Sequence, residues 1–170
     1  MGVTSILTEG VFKTLAFGIS ICLLSLSAIA DNIPSEKVLT ERFEQAGIVK
    51  NDQWVKKGDD KSNWKTYRAS GDLFYMYDSR FGAALISEKE PSKEQVDASL
   101  LSCLAIPAIA FDGLSVERKD KALATIKTAY LEPNEWSEDV IDGLMFKVKK
   151  STLGGYPILY CDVESFNTWD

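Results

Sequence analysis

One kind of side chain that carries much protein chemistry is missing altogether: this chain of 170 residues contains no histidine. Without imidazole there is no Ser-His-Asp or Cys-His nucleophile, no HExxH zinc helix and no histidine metal site. Three cysteines remain, Cys22, Cys103 and Cys161. A nucleophilic or redox-active thiol needs surroundings that lower its pKa, usually a nearby cation or histidine. Cys103 is flanked by Leu101, Ser102 and Leu104, and Cys161 by Tyr160 and Asp162; neither has a cation beside it in sequence, and no CxxC occurs. Two thiols without imidazole are also too few soft ligands for structural zinc. The run "NDQWVKKGDDKSN" offers Asp52, Asp59 and Asp60 as hard oxygen ligands, but three lysines interrupt it and no EF-hand spacing fits. Neither a P-loop nor GxGxxG appears, so the residues imply no cofactor and no metal.

Carboxylates are the catalytic type that is left. Asp72 and Asp78 flank one strand-like run, and Asp162 and Glu164 share one face of another. Such a pair could split a glycosidic bond, one acid protonating the leaving oxygen while the other attacks or activates water. With 25 acidic side chains in the chain, however, neighbouring carboxylates arise from density alone, and a solvated surface is the simpler expectation.

Aromatic residues give the other candidate site. Trp64, Tyr67, Phe74, Tyr75 and Tyr77 fall on adjacent strand-like runs, so at least one of the two faces there must be apolar. One face builds the core, and the other is expected to expose tyrosines, which Tyr156 and Tyr160 of the last hairpin would extend, unless a second layer such as the first helix covers it. The candidate binding set is therefore Trp64, Tyr67, Tyr75, Tyr77, Tyr156, Tyr160 and Asp162.

The elements that must position these groups can be followed along the chain. Residues 14–27, "TLAFGISICLLSLS", form an uncharged apolar run too short to span a bilayer, followed by the small-x-small pattern of Ala28 and Ala30. This reads as a signal peptide over residues 1–30, cleaved near Ala30, with residues 31–170 as a single domain in the periplasm or outside the cell. Cleavage removes Lys13 and Glu9, one base and one acid, so the net charge stays at −6. That balance excludes nucleic acid and anionic membrane surfaces as natural partners and is compatible with a basic protein. The mature form is not expected to be membrane-embedded.

Ser35 caps a first helix with Val38, Leu39, Phe43 and Ala46 on one stripe and Gly47 just past its end. A polar loop around Trp54 and Val55 follows. Three strands come next, "WKTYRAS", "LFYMYD" and "FGAALIS", joined by turns short enough for antiparallel hairpins. Ser92 and Gln95 make a capping box for a second helix that Pro107 should end or kink. A third helix starts at Ser115, with Val116, Leu123, Ile126 and Tyr130 as its expected apolar stripe. "LMFKVKK" then alternates Leu144, Phe146 and Val148 inward, and Gly154-Gly155 closes a hairpin onto "YPILYCDVES".

The order α-βββ-αα-ββ specifies an α+β fold, a mostly antiparallel sheet with helices packed on one face. It is similar to the order found in type III secretion chaperones. That likeness is one of topology alone, and such chaperones are cytoplasmic and carry no signal peptide. Cys103 lies on the inward stripe of the second helix, and Cys161 shares a strand face with Leu159 and Val163, so both sulfurs point into one helix-to-sheet interface. In an oxidising compartment the economical reading is a disulfide between them.

The function expected from these residues is binding without catalysis, most plausibly of another protein, as an inhibitor or immunity-type protein. A periplasmic chaperone or adaptor holding a peptide along a sheet edge is the alternative. A carboxylate-dependent hydrolase of envelope polysaccharide stands third.

Overall fold

The computed structural model describes residues 33–57, 64–69 and 71–166. The signal segment expected over residues 1–30 lies outside the described residues, as do Asp59 and Asp60. Helix α1 spans Glu36–Gln45 and buries Leu39 and Phe43. Its end follows from Gly47, whose φ of +70° is the left-handed conformation that glycine tolerates best. There the Gly47 amide donates to the Glu44 carbonyl at 2.9 Å and the Ile48 amide to the Phe43 carbonyl at 3.0 Å, the paired bonds of a Schellman stop. Ser35 holds the N-cap position, although its hydroxyl makes no capping bond.

The polar stretch read as a loop contains more structure than that. A 3-10 turn over Asn51–Gln53 drops Trp54 into the core, and Val55–Lys57 form a short strand, β1. The three hairpin strands are β2 (Trp64–Ala69), β3 (Asp72–Met76) and β4 (Arg80–Ile86).

Helix α2 spans Lys93–Phe111 and opens on the expected box: the Gln95 amide donates to Ser92 Oγ at 3.3 Å and the Ser92 amide to Gln95 Oε1 at 3.0 Å. Pro107 does not end it. Proline forfeits only the bond its amide would have given to the Cys103 carbonyl. The turns on either side bury Ile106, Ile109 and Ala110, and Arg42 of α1 donates to the Ile109 and Ala110 carbonyls at 2.9 and 2.7 Å. Those contacts satisfy orphan carbonyls of the last turn and place a cation at its negative end. By length and composition α2 could cross a membrane, yet here it is the middle helix of the layer, touching α1 and α3.

Helix α3 spans Val116–Leu131 with Ser115 Oγ accepting from the Arg118 amide. Its buried stripe is Ala122, Thr125, Ile126 and Ala129. The expected stripe is therefore rotated: Val116 is 79% and Leu123 43% exposed, Ile126 is buried, and Tyr130 is half-buried. Small alanines let the helix axis approach the sheet, so the larger apolar side chains are displaced to the flank.

Strands β5 (Ser137–Ile141), β6 (Leu144–Leu153) and β7 (Tyr156–Ser165) complete one sheet of seven antiparallel-paired strands in the order β1-β2-β3-β4-β7-β6-β5. The β6–β7 turn is Gly154-Gly155, with φ of +60° and +85°. Two positive φ values in sequence are what a type I′ hairpin turn requires and what glycine supplies without strain. The outermost strands, β1 and β5, are the two that the sequence pattern does not reveal.

The three helices lie on one face of this sheet. Leu39 and Phe43 of α1, Cys103, Ile106 and Ile109 of α2, and Ala122, Ile126 and Ala129 of α3 share a core with Phe74, Phe81, Leu85, Phe146, Val148, Leu159 and Val163. Phe43 sits edge-on to Trp54, with ring centroids 5.1 Å apart, and to Phe74 and Phe81, both at 6.1 Å. At the centre of this layer Cys103 of α2 is joined to Cys161 of β7, with a Cα separation of 5.5 Å and both residues fully buried. Neither thiol is available for chemistry, and the α+β architecture with one disulfide is as the sequence specifies.

Candidate functional site

Because side chains alternate along a strand, the residues between the core positions project to the opposite face, which none of the described helices covers. Helix α1 packs on the core side against Phe74 and Phe81, so it is not a second layer over the tyrosines. The registers align one row across this open face: Thr66 of β2, Tyr75 of β3, Gly82 of β4, Asp162 of β7, Lys147 of β6 and Glu138 of β5.

Gly82 is the key to that row. A β-carbon there would overlap the Cys161 carbonyl oxygen and lie 3.0 Å from Asp162 Cα. The hollow left by its missing side chain receives the Asp162 carboxylate, and across it the Tyr75 hydroxyl donates to Asp162 Oδ1. Asp162 is 5% exposed despite lying on the uncovered face. Burial pushes its carboxyl up to about 6, against the lowering influence of the Tyr75 hydroxyl and the Arg80 charge. Burial and the neighbouring carboxylate raise the Tyr75 phenol far above its ordinary value, so it remains a donor.

Beside this pair Lys147 Nζ lies 3.2 Å from both Glu138 Oε1 and Glu164 Oε1. Burial alone would lower the Lys147 ammonium, but its hydrogen bonds to the two glutamates and their charge outweigh this and raise it. Asp162 and Glu164 do share a face, as expected, yet each is engaged by the row rather than presented in a cleft. Asp72 and Asp78 are not a pair at all. They are separated by up to about 20 Å of nearly extended chain, with Asp72 accepting from the Ile86 amide at 2.8 Å and Asp78 exposed in the following turn.

Around the buried row stands an accessible rim. Tyr77 is 37% exposed, packs edge-on to Tyr75 at 5.7 Å, and carries the Arg80 guanidinium 4.8 Å above its ring. On the other flank Trp136, 41% exposed, lies 6.2 Å from the Tyr160 ring, with Lys147 and Lys149 ammonium groups 5.4 and 5.7 Å from its centroid. The rim is thus aromatic and cationic, and two acids of this face, Asp162 and Glu164, lie beneath it.

The remaining sequence candidates divide. Tyr75, Tyr77 and Asp162 are brought together, and Tyr160 projects from the same face beside Trp136. Tyr67 belongs to the helix side, stacked on Phe74 at 6.5 Å and packed against the core, because its register partner is Phe74 rather than Tyr75. Tyr156 sits by the Gly154-Gly155 turn under Lys89, away from the row. Trp64 opens β2 opposite Lys57, and its side chain lies outside the description. The alternation of "LMFKVKK" points Lys147 and Lys149 outward, but the sequence assigns a site role neither to them nor to Trp136, Arg80 and Gly82. The signal that could have found them was a glycine in a strand facing an aspartate in register, visible only once β4 is paired with β7 rather than β6.

Among the described residues no group of three or more Cys, Asp or Glu side chains could hold a metal ion. Comparison of the chain with protein-family models, with curated proteins and with solved structures gives no match.

Proposed function

We propose that this protein is an exported, non-enzymatic binding domain, an inhibitor or immunity-type protein that engages another protein through the open sheet face. The observation that carries this reading is the two exposed pairs, Tyr77 with Arg80 and Trp136 with Tyr160, that flank the buried row on the open face. Tyrosine, tryptophan and arginine dominate binding hot spots, because they offer large contact area and directional polar groups at small entropic cost. The row beneath fixes the rim before any partner arrives, which reduces the ordering cost of association.

Charge acts on this surface in two ways. The net charge of −6 steers a basic partner from a distance, whereas Arg80 and Lys149 at the contact itself match carboxylates on that partner. The adaptor reading keeps one point of support, the outer edges of β1 and β5, which pair with no further strand among the described residues. Those edges carry Lys56, Lys57, Glu138 and Asp139, charges that commonly protect an edge from further pairing.

The test is cross-linking in the producing cells, followed by affinity measurement with the recovered partner. Tyr77→Ala and Trp136→Ala should each weaken the complex at least tenfold, while Leu123→Ala on the helix side leaves it intact. Unchanged affinity in both open-face variants, or a promiscuous weak response to many unfolded peptides, would overturn the reading.

A further inference from the structure

On the helix side of the sheet, between the first turns of α2 and the last turn of α3, lies a cavity of about 270 Å³. Its apolar walls are formed by Pro91 just before α2, Val96 in the first turn of α2, and Pro157, Ile158 and Leu159 of β7. Set into them are four hydrogen-bond donors: the hydroxyls of Ser87, Ser99 and Tyr130 and the ammonium of Lys150. No carboxylate lines it among the described residues, although the chain holds 25 acidic side chains. Lys150 Nζ sits 4.5 Å from the centroid of the Tyr130 ring, a cation held over an aromatic face at the cavity wall.

We propose that this cavity binds a small amphiphilic carboxylic acid, its carboxylate on Lys150 and the hydroxyls and its hydrocarbon or aryl body against Val96 and Leu159. A lining rich in donors and free of acidic groups selects an acceptor-rich anion, and the apolar walls select a body that water does not compete to solvate. The volume corresponds to about nine waters at their liquid volume, the size of a medium-chain alkyl or phenylalkyl acid. Because the cavity and the open face lie on opposite sides of the sheet, failure of this proposal leaves the partner reading untouched, and the reverse holds too.

Titration of the isotope-labelled protein with octanoate and with 3-phenylpropionate, followed by amide chemical shifts, tests it. Saturable shifts at Val96, Ser99 and Leu159 are expected with a Kd on the order of 1 mM. Octanol, which lacks the charge, should bind about tenfold more weakly, and so should octanoate to Lys150→Met. Ser99→Phe, which fills the cavity, should abolish the response, and if it fails to fold the Lys150→Met comparison still decides. No saturable shift at ten times that concentration, equal response to octanol and octanoate, or shifts confined to the open face would overturn the proposal.

Discussion

Asp162 shows how a single group can set the pH response of the molecule. Its carboxyl is raised to about 6 in the folded state from an ordinary value of 3.8. The folded protein therefore holds a proton that the unfolded chain has released between about pH 4 and pH 6, so the group's favourable contribution is complete below that window and is lost as pH rises through it. The ionised form costs ~3 kcal/mol relative to the neutral one. Asp162→Asn keeps an acceptor for the Tyr75 hydroxyl and carries no charge. Relative to the parent protein it should gain stability as pH rises from 4 to 7, measured as urea midpoints of the two proteins in parallel; a difference that stays flat across the window refutes the assignment. Gly82→Ala tests the hollow itself. The added carbon meets backbone atoms of β7 that cannot swing aside, so a loss of about 1–3 kcal/mol is expected, and an unchanged midpoint in chemical denaturation would mean that the carboxylate is not seated over Gly82.

Helix α3 and the sheet edges show which elements were legible and why. Elements whose ends are written in special residues could be read directly: Ser92 with Gln95, Gly47, and Gly154-Gly155 all behave as their chemistry requires. The stripe of α3 could not be, because hydrophobicity alone favours Val116 and Leu123 over Ala122 and Ala129, whereas close approach to a sheet favours the small residues. Ala129→Leu should accordingly cost about 1–3 kcal/mol by overpacking, and Leu123→Ala should stay within about 0.5 kcal/mol of the parent. Thermal unfolding of the two variants checks this, and the opposite ranking would restore the stripe expected from hydrophobicity. Strands β1 and β5 escaped notice for a related reason: VKK and SEDVI border solvent along one edge and lack the apolar alternation that marks an interior strand. Likewise Tyr67 and Tyr75 read alike in sequence, and only the register separates the covered face from the open one.

For the molecule as a whole, the Cys103–Cys161 bond ties the middle helix to an interior strand of the sheet across a sequence separation of 58. Loop-closure entropy gives such a link roughly 4 kcal/mol, a large share of a small domain's stability. Reduction, or Cys161→Ser with Cys103→Ser, should lower the denaturation midpoint by a corresponding amount, and thiol titration of the unfolded, unreduced protein should find no free thiol besides Cys22 where that residue is retained. Two further titratable thiols would remove the link. The helix layer, the disulfide and the element order α-βββ-αα-ββ were accessible from period, caps and cysteine count, whereas the order of strands within the sheet was not. The open face was only half accessible, since its composition could be read but its buried row depends on pairings between distant strands.

The strand order has a consequence for how the protein is made. β7, between β4 and β6, is the last of the described strands to be synthesised, and it is an interior one. Until residue 165 has left the ribosome, β4 has no strand neighbour on one side, the β5–β6 hairpin has no strand to join it to β4, and Cys103 lacks its partner Cys161. The nascent chain is thus kept from closing prematurely by its own topology, a property suited to any polypeptide that must be threaded through a narrow channel before it folds.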